Sequence, residues 1–374
     1  MKKCRCCGNV INEEPILQYK NMPGAAQNFP NEEELQFDIG EDIGIYYCKF
    51  CGLMQILQEP VYYYRDVIRA IAVSEDMKEF RKEYFENFVN LCHLEGKKII
   101  EIGAGCGEYM ELMAQSNVMV YGLENLKESV QKAKKRGLYV HTGFVENEIY
   151  RIPDAPYDGF YIMNYLEHIP HPKEFLRGVV NNLSEGAYGL IEVPNGDFII
   201  KENMFSEFML DHLCYFTKDS LEVLLKQCGY DVISCESIWH EYILAAIVKK
   251  RKQIDVSKLQ SEQERMLKTL ERFLEKNKEK RIAVWGAGHQ ALAVMALANM
   301  QNYLSCVIDS AEFKQNRYTP ATHIPIVSPE KINEWKIEII LVMAGSYTEE
   351  VCKKIYDNWK NVKVETLDTI GFKN

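Results

Sequence analysis

The chain has 374 residues, more than one ordinary core accommodates, so two or three domains are expected. Hydrophobic residues at 47% and charged residues at 26% exclude a disordered or low-complexity chain, and runs such as Ile243–Val248 and Ile337–Ala344 fall far short of the ~20 residues of a membrane span. The net charge of −10 speaks against a nucleic acid held through its phosphates, and a start of Met-Lys-Lys-Cys-Arg-Cys-Cys lacks the apolar stretch of a signal peptide, so a cytoplasmic location is expected.

Residues 1–75 read as a small module of short strands and turns, broken by Asn9 and Pro23-Gly24. Five of the chain's twelve cysteines crowd its first 51 residues. Cys4-x-x-Cys7 and Cys48-x-x-Cys51 form two knuckles, each followed by a glycine, Gly8 and Gly52, where a turn must close. Four thiolates fill a tetrahedral Zn²⁺ shell and leave no position for substrate, so the spacing predicts a structural zinc site; the alternative is unliganded buried thiols. Cys6 is a spare that could replace Cys4 or Cys7 only through a strained loop.

Residues 76–250 begin with a helical stripe, Phe80, Tyr84, Phe88 and Leu91, and pass into strands at Lys98–Ile102, Val118–Leu123, Tyr157–Met163 and Tyr188–Val193 with helix-length pieces between. This alternation predicts an open, mostly parallel sheet with helices on both faces. The first of these strands runs through Glu101 into Gly103-Ala104-Gly105-Cys106-Gly107, a turn that opens a helix at Glu108–Gln115. Such glycines let backbone approach a ligand closely, beside the free N–H groups of a helix start. Glu124 ends the next strand, where a carboxylate can accept both hydroxyls of a ribose. A glycine turn followed by a strand-end acid is similar to class I S-adenosylmethionine (SAM) methyltransferases. The segment 157–172, with Asn164, Glu167 and His168, resembles that superfamily's fourth strand and the loop lining the methyl-donor pocket. For His168, a satisfied structural histidine is the competing reading.

Further on, Asp211-His212 precedes a helix expected at Ser220–Cys228, capped by Thr217 or Asp219 and ended by Gly229. A histidine beside a carboxylate could be held in one tautomer and poised near neutral pKa; the alternative is a histidine packed under the cap. Residues 251–280 form a charged helical connector with a stripe at Val256, Leu259, Leu267, Leu270 and Leu274, a partner helix or more simply an interdomain spacer. Residues 281–374 restart the α/β alternation at Ile282–Trp285, Leu304–Ile308 and Ile337–Met343. Gly286-Ala-Gly288-His289 invites an NAD-site reading, but Leu292 stands where a third glycine is needed.

In this order, the four-cysteine module, the SAM fold with His212-Leu-x-Tyr-Phe, and the last domain with Asp309, Lys314-Gln315-x-Arg317-Tyr318 and Pro320-x-Thr322-His323-Ile324-Pro325 resemble the sugar C-methyltransferases. Met22-Pro23 and Tyr62-Tyr63-Tyr64 fit the first module. The resemblance implies an α/β protein: a class I doubly wound sheet, a small amino-terminal zinc module, and a carboxy-terminal Rossmann-like domain that holds no nicotinamide and contributes to acceptor binding. It implies methylation of a carbon beside the ketone of a nucleotide-linked deoxysugar. His212 matches the family's histidine and would be the base, Asp211 stands where the family has Glu, and Tyr64, then Tyr62, would close over the sugar. Glu101, Gly103, Ala104, Gly105, Gly107, Glu124 and Asn164 would hold the donor.

Two departures fall on the acceptor side. Arg65-Asp66-Val67-Ile68 and Arg69 replace small hydroxyl residues, and Ala344-Gly345-Ser346-Tyr347 replaces a Trp-Asn pair. They motivate a second reading, O- or N-methylation of another anionic metabolite. A third, a zinc scaffold with a vestigial SAM fold, is disfavoured by the intact donor residues. The expected partner is a small-molecule acceptor, with a monomer as default and no nucleic acid or membrane.

Overall fold

The computed structural model describes residues 2–11, 14–27, 29–66 and 74–372, which fall into two compact units, Met1–Gln253 and Ile254–Asn374. Val67, Ile68 and Arg69 lie outside the described residues.

The first unit opens with an antiparallel ribbon of β1 (Leu17–Met22), β2 (Glu41–Tyr47) and β3 (Met54–Ile56). In β2 the period of two is plain: Ile43 and Ile45 are buried, while their neighbours are not. Helix α1 (Glu75–Cys92) follows, its first turn capped by Ser74, whose side chain accepts from the Met77 N–H. Its buried face is Arg81, Phe85, Phe88, Val89 and Cys92. Leu91, expected in that face, is 60% exposed.

The doubly wound core then runs β4 (Lys98–Ile102), α2 (Glu108–Ala114), β5 (Met119–Glu124), α3 (Lys127–Lys135), β6 (Val140–Thr142), β7 (Tyr157–Met163), α4 (Pro172–Val180), β8 (Leu183–Pro194) and α5 (Gly196–Lys201). After it come β9 (Cys214–Tyr215), α6 (Lys218–Gln227), β10 (Tyr230–Ile238) and β11 (Ile243–Lys250). The sheet order is β10-β11-β8-β7-β4-β5-β6. Strands β4 to β8 are parallel; β11 is antiparallel to β8, and β10 to β11. From β4 the chain winds one way through β5 and β6, then returns to β4's other side for β7 and β8. The crevice at the carboxyl ends of β4 and β7 is therefore the switch point where open α/β sheets bind ligands.

Strand β9 does not join this sheet. It pairs antiparallel with β3, and the Ile56 N–H donates to the Leu213 carbonyl at 3.0 Å. The first module thus borrows the strand that directly follows His212. Helix α6 begins at Lys218, two residues earlier than expected, with Thr217 as its cap in a reciprocal bond with Ser220. Under α1, the Arg81 guanidinium meets Glu192 of β8 at 2.5 Å, with both side chains fully buried.

The second unit starts with α7 (Ser257–Lys276), then β12 (Ile282–Trp285), α8 (His289–Leu297), β13 (Leu304–Ile308), β14 (Arg317–Tyr318), β15 (Pro325–Val327), β16 (Ile339–Val342), α9 (Thr348–Asn358) and β17 (Lys363–Thr366). Its order is β14-β15-β13-β12-β16-β17, parallel except for β14. Helix α7 buries Leu270 and Leu274 in this unit's core, whereas Leu259 is 72% exposed. The charged stretch therefore packs as part of the second unit over its last turns.

Candidate active site

At the switch point the chain needs backbone conformations that only glycine adopts freely. Gly103 has φ +79°, and a Cβ there would sit 2.9 Å from the Tyr165 ring. Gly107, which starts α2, has φ +86°, and a Cβ would lie 2.2 Å from Leu138 Cδ1. Gly105 differs: it too has a positive φ, +55°, but a Cβ would meet nothing within 4 Å. The turn is pressed against protein at its ends and open over its middle. Ala104 is buried beneath it, its N–H donating to the Leu123 carbonyl at 3.1 Å.

Glu124 closes this turn. Its carboxylate accepts from the Gly105 N–H at 2.8 Å and the Leu126 N–H at 2.7 Å, and burial raises its pKa above the ordinary carboxylate range. A carboxylate has further lone pairs to offer hydroxyls. Glu101 is fully buried on β4. Asn164, just past β7 in the left-handed region at φ +49°, carries a buried Oδ1 with no hydrogen-bond partner among the described residues. Open space over Gly105, an acid behind it and an unsatisfied amide oxygen fit a polar ligand with hydroxyl and ammonium groups, as SAM has. Arg65 and Asp66 come beside these elements: Asp66 accepts from Asn125 Nδ2 at 2.7 Å, and the Tyr165 hydroxyl donates to the Arg65 carbonyl at 3.3 Å.

A second group gathers beyond β7. The Leu213 N–H donates to the Glu167 carbonyl at 2.9 Å, tying the two segments together. His168 Nδ1 lies 2.7 Å from the Asp211 carbonyl; facing a carbonyl, that nitrogen must carry the proton, which leaves Nε2 with the lone pair. The His212 ring meets His168 edge-on at 4.7 Å between centroids. Glu167 Oε1 lies 3.9 Å from His168 Nε2, and ligand atoms of Glu167, His168 and His212 all fall within 4.8 Å of one another. Burial pushes Glu167 up to about 8, His168 down to about 4 and His212 down to about 3, the last helped by its histidine neighbour.

These facts correct two expectations. His212 is not poised near neutral pKa, because burial disfavours its charged form. Asp211 does not orient His212 through its carboxylate, which instead accepts from the Tyr63 hydroxyl at 2.6 Å and the Ala26 N–H at 2.9 Å. The tyrosine that reaches Asp211 is Tyr63, which also accepts from the Gln27 N–H at 3.1 Å. Tyr62 is 78% exposed. Tyr64 accepts from Arg65 Nε at 2.9 Å and packs edge-on against Phe144, and Arg65 pairs with Glu146 at 2.7 Å. The sequence showed a tyrosine cluster but not which member turns inward. Nothing marked the Ala26 N–H, whose role depends on a loop meeting Asp211 from 185 residues away.

The four knuckle cysteines converge. Cys4 and Cys51 Sγ are 3.5 Å apart, as are Cys7 and Cys48, and all four lie within 4.8 Å. A tetrahedral Zn²⁺ with bonds of about 2.3 Å needs sulfurs roughly 3.8 Å apart. Backbone N–H groups within or beside each knuckle donate to these sulfurs, and Gly8 and Gly52, both at φ +77°, close the turns by N–H bonds to the Cys4 and Cys48 carbonyls. The donor set fits a closed four-thiolate ion. Cys6 Sγ lies beside Cys51 and 3.8 Å from the Ser220 carbonyl. In the second unit, Asp309 repeats the Glu124 arrangement, accepting from Ala287 and Ala311 N–H groups at 2.8 Å each, but Lys314 Nζ also holds it at 2.9 Å.

The sheet order and glycine turn define a class I SAM-dependent methyltransferase. Residues 73–235 match the methyltransferase domain family and residues 251–362 the C-methyltransferase C-terminal domain family. The chain thus carries a methyltransferase domain followed by a C-methyltransferase C-terminal domain, in that order. It is 23% identical over 393 residues to the C-methyltransferase NovU of Streptomyces niveus, spanning 93% of this chain and 91% of that protein. It is 32% identical over 110 residues to the ubiquinone biosynthesis O-methyltransferase of Proteus mirabilis (strain HI4320), a match to 27% of this chain and 44% of that enzyme. A SAM-dependent methyltransferase structure from Clostridium acetobutylicum ATCC 824 aligns with 49% of this chain and 94% of its own at 10% identity and a TM-score of 0.39.

Proposed function

We propose that this protein transfers a methyl group to the carbon beside the ketone of a nucleotide-linked deoxysugar, with His212 removing the proton from that carbon. The observation that carries the reading is the cluster of His212, His168 and Glu167 beyond β7, next to the pocket behind Gly105. SAM, when bound, supplies the electrophilic methyl group. Glu124 would hold its ribose, and Asn164 Oδ1, Glu101 and the Gly103–Gly107 turn would hold the rest.

The acceptor's C–H is acidified by its carbonyl, and the pair of electrons it leaves attacks the methyl carbon. Burial keeps His212 unprotonated at neutral pH, so its lone pair is available. The same burial makes an imidazolium costly, and the Glu167 side chain, whose oxygen lies within 4.8 Å of the His212 ring nitrogen, would offer that charge a polar neighbour. His168 would fix the edge of the His212 ring. Tyr63 and Asp211 would bound the sugar from the first module's side, in place of the Tyr64 and Tyr62 expected. The four cysteines would hold a structural zinc that shapes this module and takes no part in the reaction. Support for the substrate class is the length of the likeness to a C-methyltransferase across both units.

The test is His212→Ala. It is expected to leave the affinity for S-adenosylhomocysteine unchanged while turnover falls by about 10²–10⁴. Unchanged turnover would remove His212 from the reaction.

A further inference from the structure

Glu167, His168 and His212 bring together two imidazoles and a carboxylate, a donor set suited to divalent first-row metals. Three observations make it more than a coincidence of residue types. The Nδ1–H of His168 is held by the Asp211 carbonyl at 2.7 Å, the outer bond that metal-bound histidines use to aim Nε2 at an ion. Glu167 is 1% exposed, and its Oε2 has no hydrogen-bond partner among the described residues. The third ligand, His212, has its ring enclosed by protein yet keeps part of the residue's surface at solvent, so the group has an entrance.

We propose that Glu167, His168 and His212 form an open-sided site for one divalent transition-metal ion, separate from the four-cysteine site. Ligand atoms around such an ion stand roughly 3–3.5 Å apart, set by bonds of about 2.0–2.2 Å. The present spread, at most 4.8 Å, closes through side-chain torsions of Glu167 and His212. Three protein ligands leave coordination positions open to a small molecule. An ion here takes the lone pair that removes the acceptor's proton, so its occupancy blocks methyl transfer; that consequence rests on the proposed role of His212, whereas the binding itself does not.

The test is a Co²⁺ titration of the whole, zinc-loaded protein without acceptor, read by visible absorption and by metal content after gel filtration. Expected is one Co²⁺ per chain beyond the zinc, with ligand-field bands and no thiolate-to-cobalt charge-transfer absorption. Affinity should fall at least about tenfold in both Glu167→Gln and His212→Gln, each shown to be folded by retained S-adenosylhomocysteine binding. No uptake beyond the zinc, uptake only with thiolate absorption, or equal affinity in both folded variants would overturn the site. Methyl transfer unaffected by bound Co²⁺, with the site present, would instead count against His212 as the base.

Discussion

Tyr63 and Asp211 meet at 2.6 Å, and the meeting joins the first module to the segment that carries His212. Asp211 is 3% exposed, so its carboxylate depends on the Tyr63 hydroxyl and the Ala26 N–H for hydrogen bonds. A hydrogen bond to a buried charge contributes about 1.5–3 kcal/mol. Tyr63→Phe should therefore lower kcat/KM by roughly 10–100-fold with donor affinity unchanged, while Tyr62→Phe, on an exposed side chain, should match the parent. Equal losses in both variants, measured by steady-state kinetics, would show that the tyrosines act as a packed cluster. Much of the geometry of the candidate donor pocket was legible at this scale, because a glycine turn and a strand-end acid occur at fixed places on a parallel sheet. The acceptor side was not. Which of three consecutive tyrosines turns inward depends on a loop path, and the pKa of His212 depends on tertiary burial and on His168 packed against it.

Among the elements, the long buried strands were the readable ones. Lys98–Ile102, Tyr157–Met163, Ile282–Trp285 and Leu304–Ile308 end where their apolar runs end, since strands covered on both faces read as continuous hydrophobic stretches. Strand β9, of two residues, leaves no such trace, and its partner β3 lies about 160 residues earlier. The face of α1 was read about one position off because its buried row includes a charge. Arg81 pairs with Glu192 on a central strand with no exposure on either side chain. Removing one member of such a pair leaves an uncompensated buried charge, at a cost of about 3–5 kcal/mol. Arg81→Ala should lower stability by that amount in urea unfolding, and Arg81→Ala with Glu192→Leu should recover part of it. A single variant as stable as the parent would show that water reaches the pair.

On the scale of the whole molecule, the first module lends its edge strand to hold the residues after His212. The β3–β9 pairing would give the four-cysteine site a mechanical link to the proposed reaction without placing its metal there. Chelation is predicted to lower the melting temperature and abolish methyl transfer together, with S-adenosylhomocysteine binding retained, because the residues proposed to hold the donor sit on or just past β4, β5 and β7. Calorimetry beside a binding assay checks this. Activity that survives loss of the cysteine-bound metal would mean β9 stays in place unaided.

The central claim is removal of a carbon-bound proton by His212, and the measurement that tests it most directly is mass spectrometry of nucleotide-linked keto-sugars in deuterated water. With S-adenosylhomocysteine in the donor pocket, the account predicts that one acceptor class gains deuterium beside its ketone, that SAM then places a methyl on that carbon, and that His212→Ala loses both. A product methylated on oxygen or nitrogen, with no deuterium gained at carbon, would contradict it.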